Sequence, residues 1–185
     1  DLYKLRLYLE EANSSLDNIV KLDVYLTDTS DYPGLLNVLQ ETFADNMPAV
    51  TIVPIDQMGI GGSRVEINCI ALTNGSKIKR ENISSKKIDT PDFAPHAVKA
   101  GPYLFLSGRQ ANDLNKISLS MKPHSSSPFV NLKGKAEMKK ILADIDVICQ
   151  EAGGSINDLV KMQIFATELN DMPGAIESMK EVFSD

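Results

Sequence analysis

The sequence contains no tryptophan, two cysteines and two histidines in 185 residues. Cys69 and Cys149 each lie in an apolar-patterned segment. That pattern predicts two reduced, buried thiols rather than a disulfide framework. His96 and His124 have no cysteine or second histidine close by in sequence, so no metal site is expected. Positive charge is also short: 19 Lys and Arg stand against 25 Asp and Glu, a net charge of -6. A general nucleic-acid binder needs a basic surface, so the balance argues against that class. No apolar run approaches the roughly 18 residues of a membrane span. The first residues are amphipathic and carry acids, which does not fit a signal peptide. There is no P-loop, no GxGxxG after a strand and no GxSxG elbow. The Gly59–Gly62 stretch is too short for a phosphate cradle, and nothing in the sequence marks a histidine base for Ser107. Hydrophobic residues at 43% and charged residues at 24% describe an ordinary globular protein, expected to be cytoplasmic.

What is present is a long internal repeat. Glu11 to Asp45 aligns with Glu151 to Asp185 without a gap, with 12 of 35 positions identical. Most other positions exchange like for like, such as Leu22 for Met162 and Tyr25 for Phe165. A spacing this long indicates two homologous units rather than a solenoid.

Periodicity assigns the elements. Leu2, Leu5, Tyr8, Leu9 and Ala12 follow the rhythm of one helix face, repeated by Leu142, Ile145, Ile148, Cys149 and Ala152. The second helix extends back to near Lys133. Ile19 to Leu26 alternates like a half-buried strand, and the repeat predicts the same at 159–166. A helix follows from about Asp31 to Phe43, with Ser30 or Asp31 as cap, Pro33 in its first turn and Leu36, Leu39 and Phe43 inward. Ala49–Val53 and Arg64–Leu72 read as strands joined by a glycine-bearing loop. Ala97–Lys99 and Tyr103–Ser107 flank Ala100-Gly101-Pro102, a hairpin signal. Asn112 to Val130 reads as a long surface loop.

Splicing the copies gives one whole unit: hairpin, strand, helix, strand, helix, strand, strand. This is an α+β layer in which two helices cover one face of a mixed sheet. Residues 1–76 then form the later part of a first unit, 77–89 a basic polar linker, and 90–185 the earlier part of a second unit. By the repeat, roughly 45 residues are missing in front of the first unit and 30 behind the second. A circular permutation, in which the two halves complete each other, is the less favoured arrangement.

Four segments resemble the RidA family, also called YjgF/YER057c/UK114. AVKAGPYLFLSGRQ, at 97–110, is similar to the family's hairpin and SGQ turn. EAGGSINDLVKMQIFATELND, at 151–171, is similar to its EAG and DVVK stretch. Met47-Pro48-Ala49 and RVEINCIA, at 64–71, resemble its PAR segment and VEI strand. The four occur in the family's order and suggest a divergent tandem branch. The resemblance implies a chorismate-mutase-like fold, assembly as a homo-oligomeric trimer or pseudo-trimer, and clefts between neighbouring units. It also implies hydrolysis of reactive imines and enamines to ketoacids plus ammonia, with no metal or organic cofactor. The partner is then a small carboxylate-bearing metabolite, with neither nucleic acid nor membrane.

That chemistry requires a cation for the substrate carboxylate and a polar group for water. Carried over residue by residue, the water-handling glutamate falls on Glu66, equally readable as a solvated strand carboxylate. Ser107 and Gly108 keep the turn of the substrate side, whose glutamine becomes Arg109; turn geometry alone also explains the Ser-Gly pair. The family's arginine falls on Val50, its tyrosine on Ala94, a second acid on Asn68 and a cysteine on Ile52. Arg109 or Arg64 could substitute for the lost clamp, although each reads more simply as a strand-end charge. His96 could act as acid or base, or merely fill a polar position. The second unit's own arginine and glutamate would follow Asp185, with the arginine about five residues on. Three functions compete: a deaminase with a degenerate first site, a non-catalytic ligand-binding or scaffold protein, and, more weakly, an endoribonuclease.

Overall fold

The strand β1 (Ile19–Leu26) lies at the centre of a three-stranded sheet. It runs parallel to β2 (Ala49–Pro54) and antiparallel to β3 (Val65–Ala71). The resulting sheet is therefore mixed, in the order β2-β1-β3. The computed structural model describes residues 2–88, 93–111 and 132–183. Within it the chain forms two units, Asp1–Lys86 with Pro91–Gly108, and Lys87–Thr90 with Arg109–Asp185.

In the first unit, α1 (Leu2–Glu11) and α2 (Tyr32–Phe43) cover one face of this sheet. Leu9 from α1 and Leu39 and Phe43 from α2 meet Leu22, Val24 and Val50, with Ile67 and Cys69 against the cluster. The expected α+β layer, two helices on one face of a mixed sheet, is what forms. The stripe on α1 is narrower than its periodicity predicts: Leu9 is buried and Leu5 packs beside it, but Tyr8 is 70% exposed. At α2 the cap is displaced. Asp31 makes no side-chain cap bond; Asp28 instead accepts from the Ser30 N–H. The Ser30 hydrogen bond accordingly holds the Asp28 carboxyl below its ordinary pKa.

Register is adjusted by an irregularity between Ile19 and Lys21 in the β1–β3 pairing. It shifts the alternation along β1, so Ile19 joins Leu22 and Val24 on the helix side while Val20 packs in a second cluster. That second cluster joins Val20 and Ala49 to Val98 and Ala100. The last two belong to β5 (Ala97–Ala100), which pairs antiparallel with β4 (Arg80–Ile83) and β6 (Tyr103–Leu106). Gly101 opens the two-residue β5–β6 turn at φ +60°, a conformation that suits glycine.

Two expectations change here. The basic stretch 77–89 is not merely a connector, because Arg80–Ile83 is a strand. The Arg80 guanidinium donates to the Asn46 side chain and the Met47 carbonyl, which anchors the stretch to the first unit. A run of lysines hid this, since Arg80 reads like its solvated neighbours. The hairpin, placed by the repeat at the start of the second copy, lies within the first unit.

In the second unit, α3 (Leu132–Glu151) packs against α4 (Met172–Phe183). The Ser178 hydroxyl donates to the Lys135 carbonyl, and Lys135 pairs with Glu177 and Glu181. The repeat is visible in backbone conformation: Asn13 has φ +53° and its counterpart Gly153 has φ +82°. Both end a helix in the left-handed region, which asparagine and glycine tolerate. The segment 159–166, expected as a strand, joins no strand ladder among the described residues. In the first unit two flanking strands supply that ladder, and no described strand of the second unit occupies either place. The loop expected at 112–130 lies outside the described residues.

Gly134 sits where α3 crosses the main chain at Asp171. A Cβ there would lie 2.1 Å from the Asp171 carbonyl oxygen. Gly134→Ala would normally gain about 1 kcal/mol in a helix. Here overpacking against backbone reverses the sign, with an expected loss of about 1–3 kcal/mol. Thermal unfolding checks this, and a raised Tm would contradict it.

Candidate active site

The strand face turned away from the helices is polar. Lys21, Asp23 and Tyr25 alternate with the buried Leu22, Val24 and Leu26. Thr51, opposite Asp23, and Glu66 and Asn68, opposite Tyr25 and Asp23, carry the same face onto β2 and β3. Glu66 is exposed on this face. It is thus accessible to solvent, as a water-handling carboxylate must be.

The turn after β6 is tied to β2 at one residue, Val50. The Val50 N–H donates to Ser107 Oγ at 2.9 Å, and the Gly108 N–H donates to the Val50 carbonyl at 3.0 Å. Ser107 Oγ donates in turn to the Pro95 carbonyl at 2.6 Å, and the Ser107 N–H to the His96 carbonyl at 2.9 Å. Gly108 approaches closely: a Cβ on it would lie 2.9 Å from Thr51 Cγ2. Two segments 57 residues apart, one carrying Val50 and the other Ser107-Gly108, are therefore brought together.

Lys21 completes this junction and was not singled out from the sequence. Its side chain is only 13% exposed. The ammonium donates to Thr51 Oγ1 and, at 2.7 Å, to the Leu106 carbonyl, and lies 3.3 Å from Asp23. It thus links β1, β2 and the end of β6 while holding a cation next to the Val50 position. Burial pushes its pKa down, and the Asp23 carboxylate opposes that shift. One sequence signal was available. Lys161 stands at the same place in the repeat, a lysine kept between apolar neighbours in both copies.

The other candidate cations are engaged elsewhere. Arg64 is exposed and pairs with Asp28 and Asp31 at 3.1 and 2.8 Å. Arg109 belongs to the second unit and pairs with Asp144 at 3.2 Å, both side chains being buried. His96 is buried, with Nδ1 accepting from the Ser85 N–H at 3.0 Å. This fits the polar-filler reading better than an acid–base role. Ala94 and Ile52 pack against the helix-side core. Cys149 is buried and Cys69 half-buried; both are free, and desolvation raises both thiol pKa values. Among the described residues no group of three or more His, Cys, Asp or Glu could hold a metal. No helix among them is long and apolar enough to cross a membrane.

Replacing Lys21 with methionine would remove three donors from a nearly closed junction. The expected loss is about 1–3 kcal/mol at neutral pH. Because the folded-state pKa is lowered, the unfolded chain holds the extra proton at alkaline pH, so wild-type stability gains relative to Lys21→Met as pH rises through that range. Denaturant titrations at several pH values measure this; a difference that shrinks with rising pH would contradict it.

Comparisons with known proteins place the similarity in the first part of the chain. The family model described as Endoribonuclease L-PSP matches residues 2–73. The mitochondrial protein mmf2 of Schizosaccharomyces pombe is 38% identical over 65 residues, covering 34% of this chain and 52% of that protein. The RutC family protein UK114 of Drosophila melanogaster is 32% identical over 83 residues, covering 42% of this chain and 56% of that protein. The chain spans about half the length of the curated relatives it matches. Among solved structures, yeast Mmf1 is 31% identical, with a TM-score of 0.36, over 38% of this chain and 55% of that one. A Mycobacterium tuberculosis member of the YjgF/YER057c/UK114 family is 26% identical, with a TM-score of 0.37, over 38% of this chain and 59% of that one. Through residues 2–73, matched by the family model and by these relatives, the chain is similar to the RidA (YjgF/YER057c/UK114) family.

Proposed function

We propose that this protein hydrolyses reactive 2-imino and enamine acids to the ketoacid and ammonia at the polar face of its first unit. Water adds to the C=N carbon, the C–N bond breaks, and nitrogen leaves as ammonia. The reading is carried by one observation: the Ser107-Gly108 turn is hydrogen-bonded to Val50, so the turn and the clamp position form one locus. Glu66, exposed on the sheet face that also bears Lys21, positions the water. Ser107 and Gly108 shape the substrate side. Lys21 provides the positive charge that Val50 does not, as a point charge rather than a planar fork. Asp23 must share that ammonium with the substrate carboxylate, which predicts weak substrate binding.

The reading includes a small carboxylate-bearing substrate, no cofactor and a cytoplasmic location, although two relatives are named as mitochondrial proteins. It also includes a tandem repeat of the family unit in sequence, at 1–76 and 90–185, with the 97–107 hairpin packed in the first unit, and a trimeric or pseudo-trimeric assembly. Endoribonuclease activity, the name carried by the family model, is disfavoured by the net charge of -6.

Ammonia release from a freshly generated 2-iminoacid tests the proposal. The wild type should exceed a buffer blank, and Glu66→Gln should lower the rate by about 100-fold. Lys21→Met should raise KM more than it lowers kcat. No release above the blank from folded protein would contradict the proposal and leave the non-catalytic binding reading in its place.

A further inference from the structure

The Ser107-Gly108 turn on Val50 is one fastening between the two sheets of the first unit, with Lys21 reaching the Leu106 carbonyl beside it. Arg80, on β4, is another. β4 and β6 flank β5, so these fastenings act on opposite edges of the β4-β5-β6 sheet. Between them Val98 and Ala100 of β5 pack on Val20 and Ala49. Both fastenings take hold of the same short segment. The Arg80 guanidinium donates to Asn46 Oδ1 and to the Met47 carbonyl, and Val50 follows shortly after. Pro48 and Ala49, in between, are buried, so a displacement at Met47 passes directly to Val50. Asn46 is itself held, its Nδ2 donating to the Asp17 carbonyl at 2.9 Å.

Arg80 is not a solvated surface charge. Its Nε is buried without a hydrogen-bond partner among the described residues. Burial pushes its pKa down, and the Asp17 carboxylate opposes that shift. A planar guanidinium can span two acceptors with a rigid fork, which a lysine ammonium lacks. We infer that Arg80 is a positioning residue for the locus formed by Val50, Ser107 and Gly108: by fixing Asn46 and Met47 against β4, it sets where β2 meets the turn. Its effect on turnover rests on the reaction proposed above; its effect on the junction does not.

Amide exchange at Val50 and Gly108, with Leu22 and Val24 as internal references, tests this in the 185-residue protein. Arg80→Lys should speed exchange at Val50 and Gly108 by about tenfold or more, while Leu22 and Val24 change by less than about twofold. Two variants at Asn46 separate its contact with Arg80 from its contact with Asp17. Asn46→Ala loses both and should reproduce the acceleration. Asn46→Asp loses the Asp17 contact but keeps an acceptor for Arg80, and should exchange like the wild type. In turnover, Arg80→Lys should raise KM for the 2-iminoacid by about tenfold with kcat within about threefold, because the turn shapes the substrate side. Unchanged exchange at Val50 and Gly108 overturns the inference, as does equal acceleration at all four amides or in Asn46→Asp. In an active enzyme, an unchanged KM in Arg80→Lys also overturns it. If Arg80→Lys does not fold, the two Asn46 variants decide. A wild type that releases no ammonia contradicts the proposed reaction, and the exchange rates then decide the role of Arg80 alone.

Discussion

The first unit depends on the attachment of the β6 end to β2 at Val50. The Val50 main chain is used in both directions there, its N–H toward Ser107 Oγ and its carbonyl toward the Gly108 N–H. Val50 also faces the helix-side core, so its position is fixed by packing before the turn arrives. Lys21 then reaches across from β1 to the Leu106 carbonyl. A buried ammonium is costly unless its protons are satisfied, and here two acceptors and a carboxylate surround it. The buried charge and the mechanical join between two sheets thus rest on the same atoms.

This arrangement constrains function. Ser107 Oγ is engaged by Val50 and Pro95, so the turn presents a fixed surface rather than a mobile hydroxyl. Glu66 stands on an exposed strand position with little to hold it, which suits a group that handles water. The lysine near the clamp position differs from an arginine in kind. It is a compact charge with a depressed pKa, already shared with Asp23. Whatever anion binds here competes with that carboxylate.

Much of the fold was legible from local pattern. β1, α2, β3 and the β5–β6 hairpin follow from alternation, Pro33 and the Gly101-Pro102 turn, all short-range signals. Arg80 was not legible, because its partners Asn46 and Met47 lie more than thirty residues away. The segment 159–166 has the sequence of a strand, but a strand also needs neighbours, and none is recorded in its own residues. At the candidate site, Glu66, Ser107 and Gly108 are proposed through motif order. Lys21 was missed because a lysine on the polar side of a strand normally points to water. The engagement of Arg109 by Asp144 depends on a residue 35 positions on, which no local pattern reveals.

Amide exchange at Val50 and Gly108, resolved by NMR in the wild-type protein, tests the central claim most directly. If the turn is locked to β2, both amides exchange as slowly as those of Leu22 and Val24 in the middle strand. If Val50 and Gly108 exchange as fast as the exposed loop at 59–62 while β1 stays protected, the turn is not anchored there, and both the junction and the site built on it are wrong.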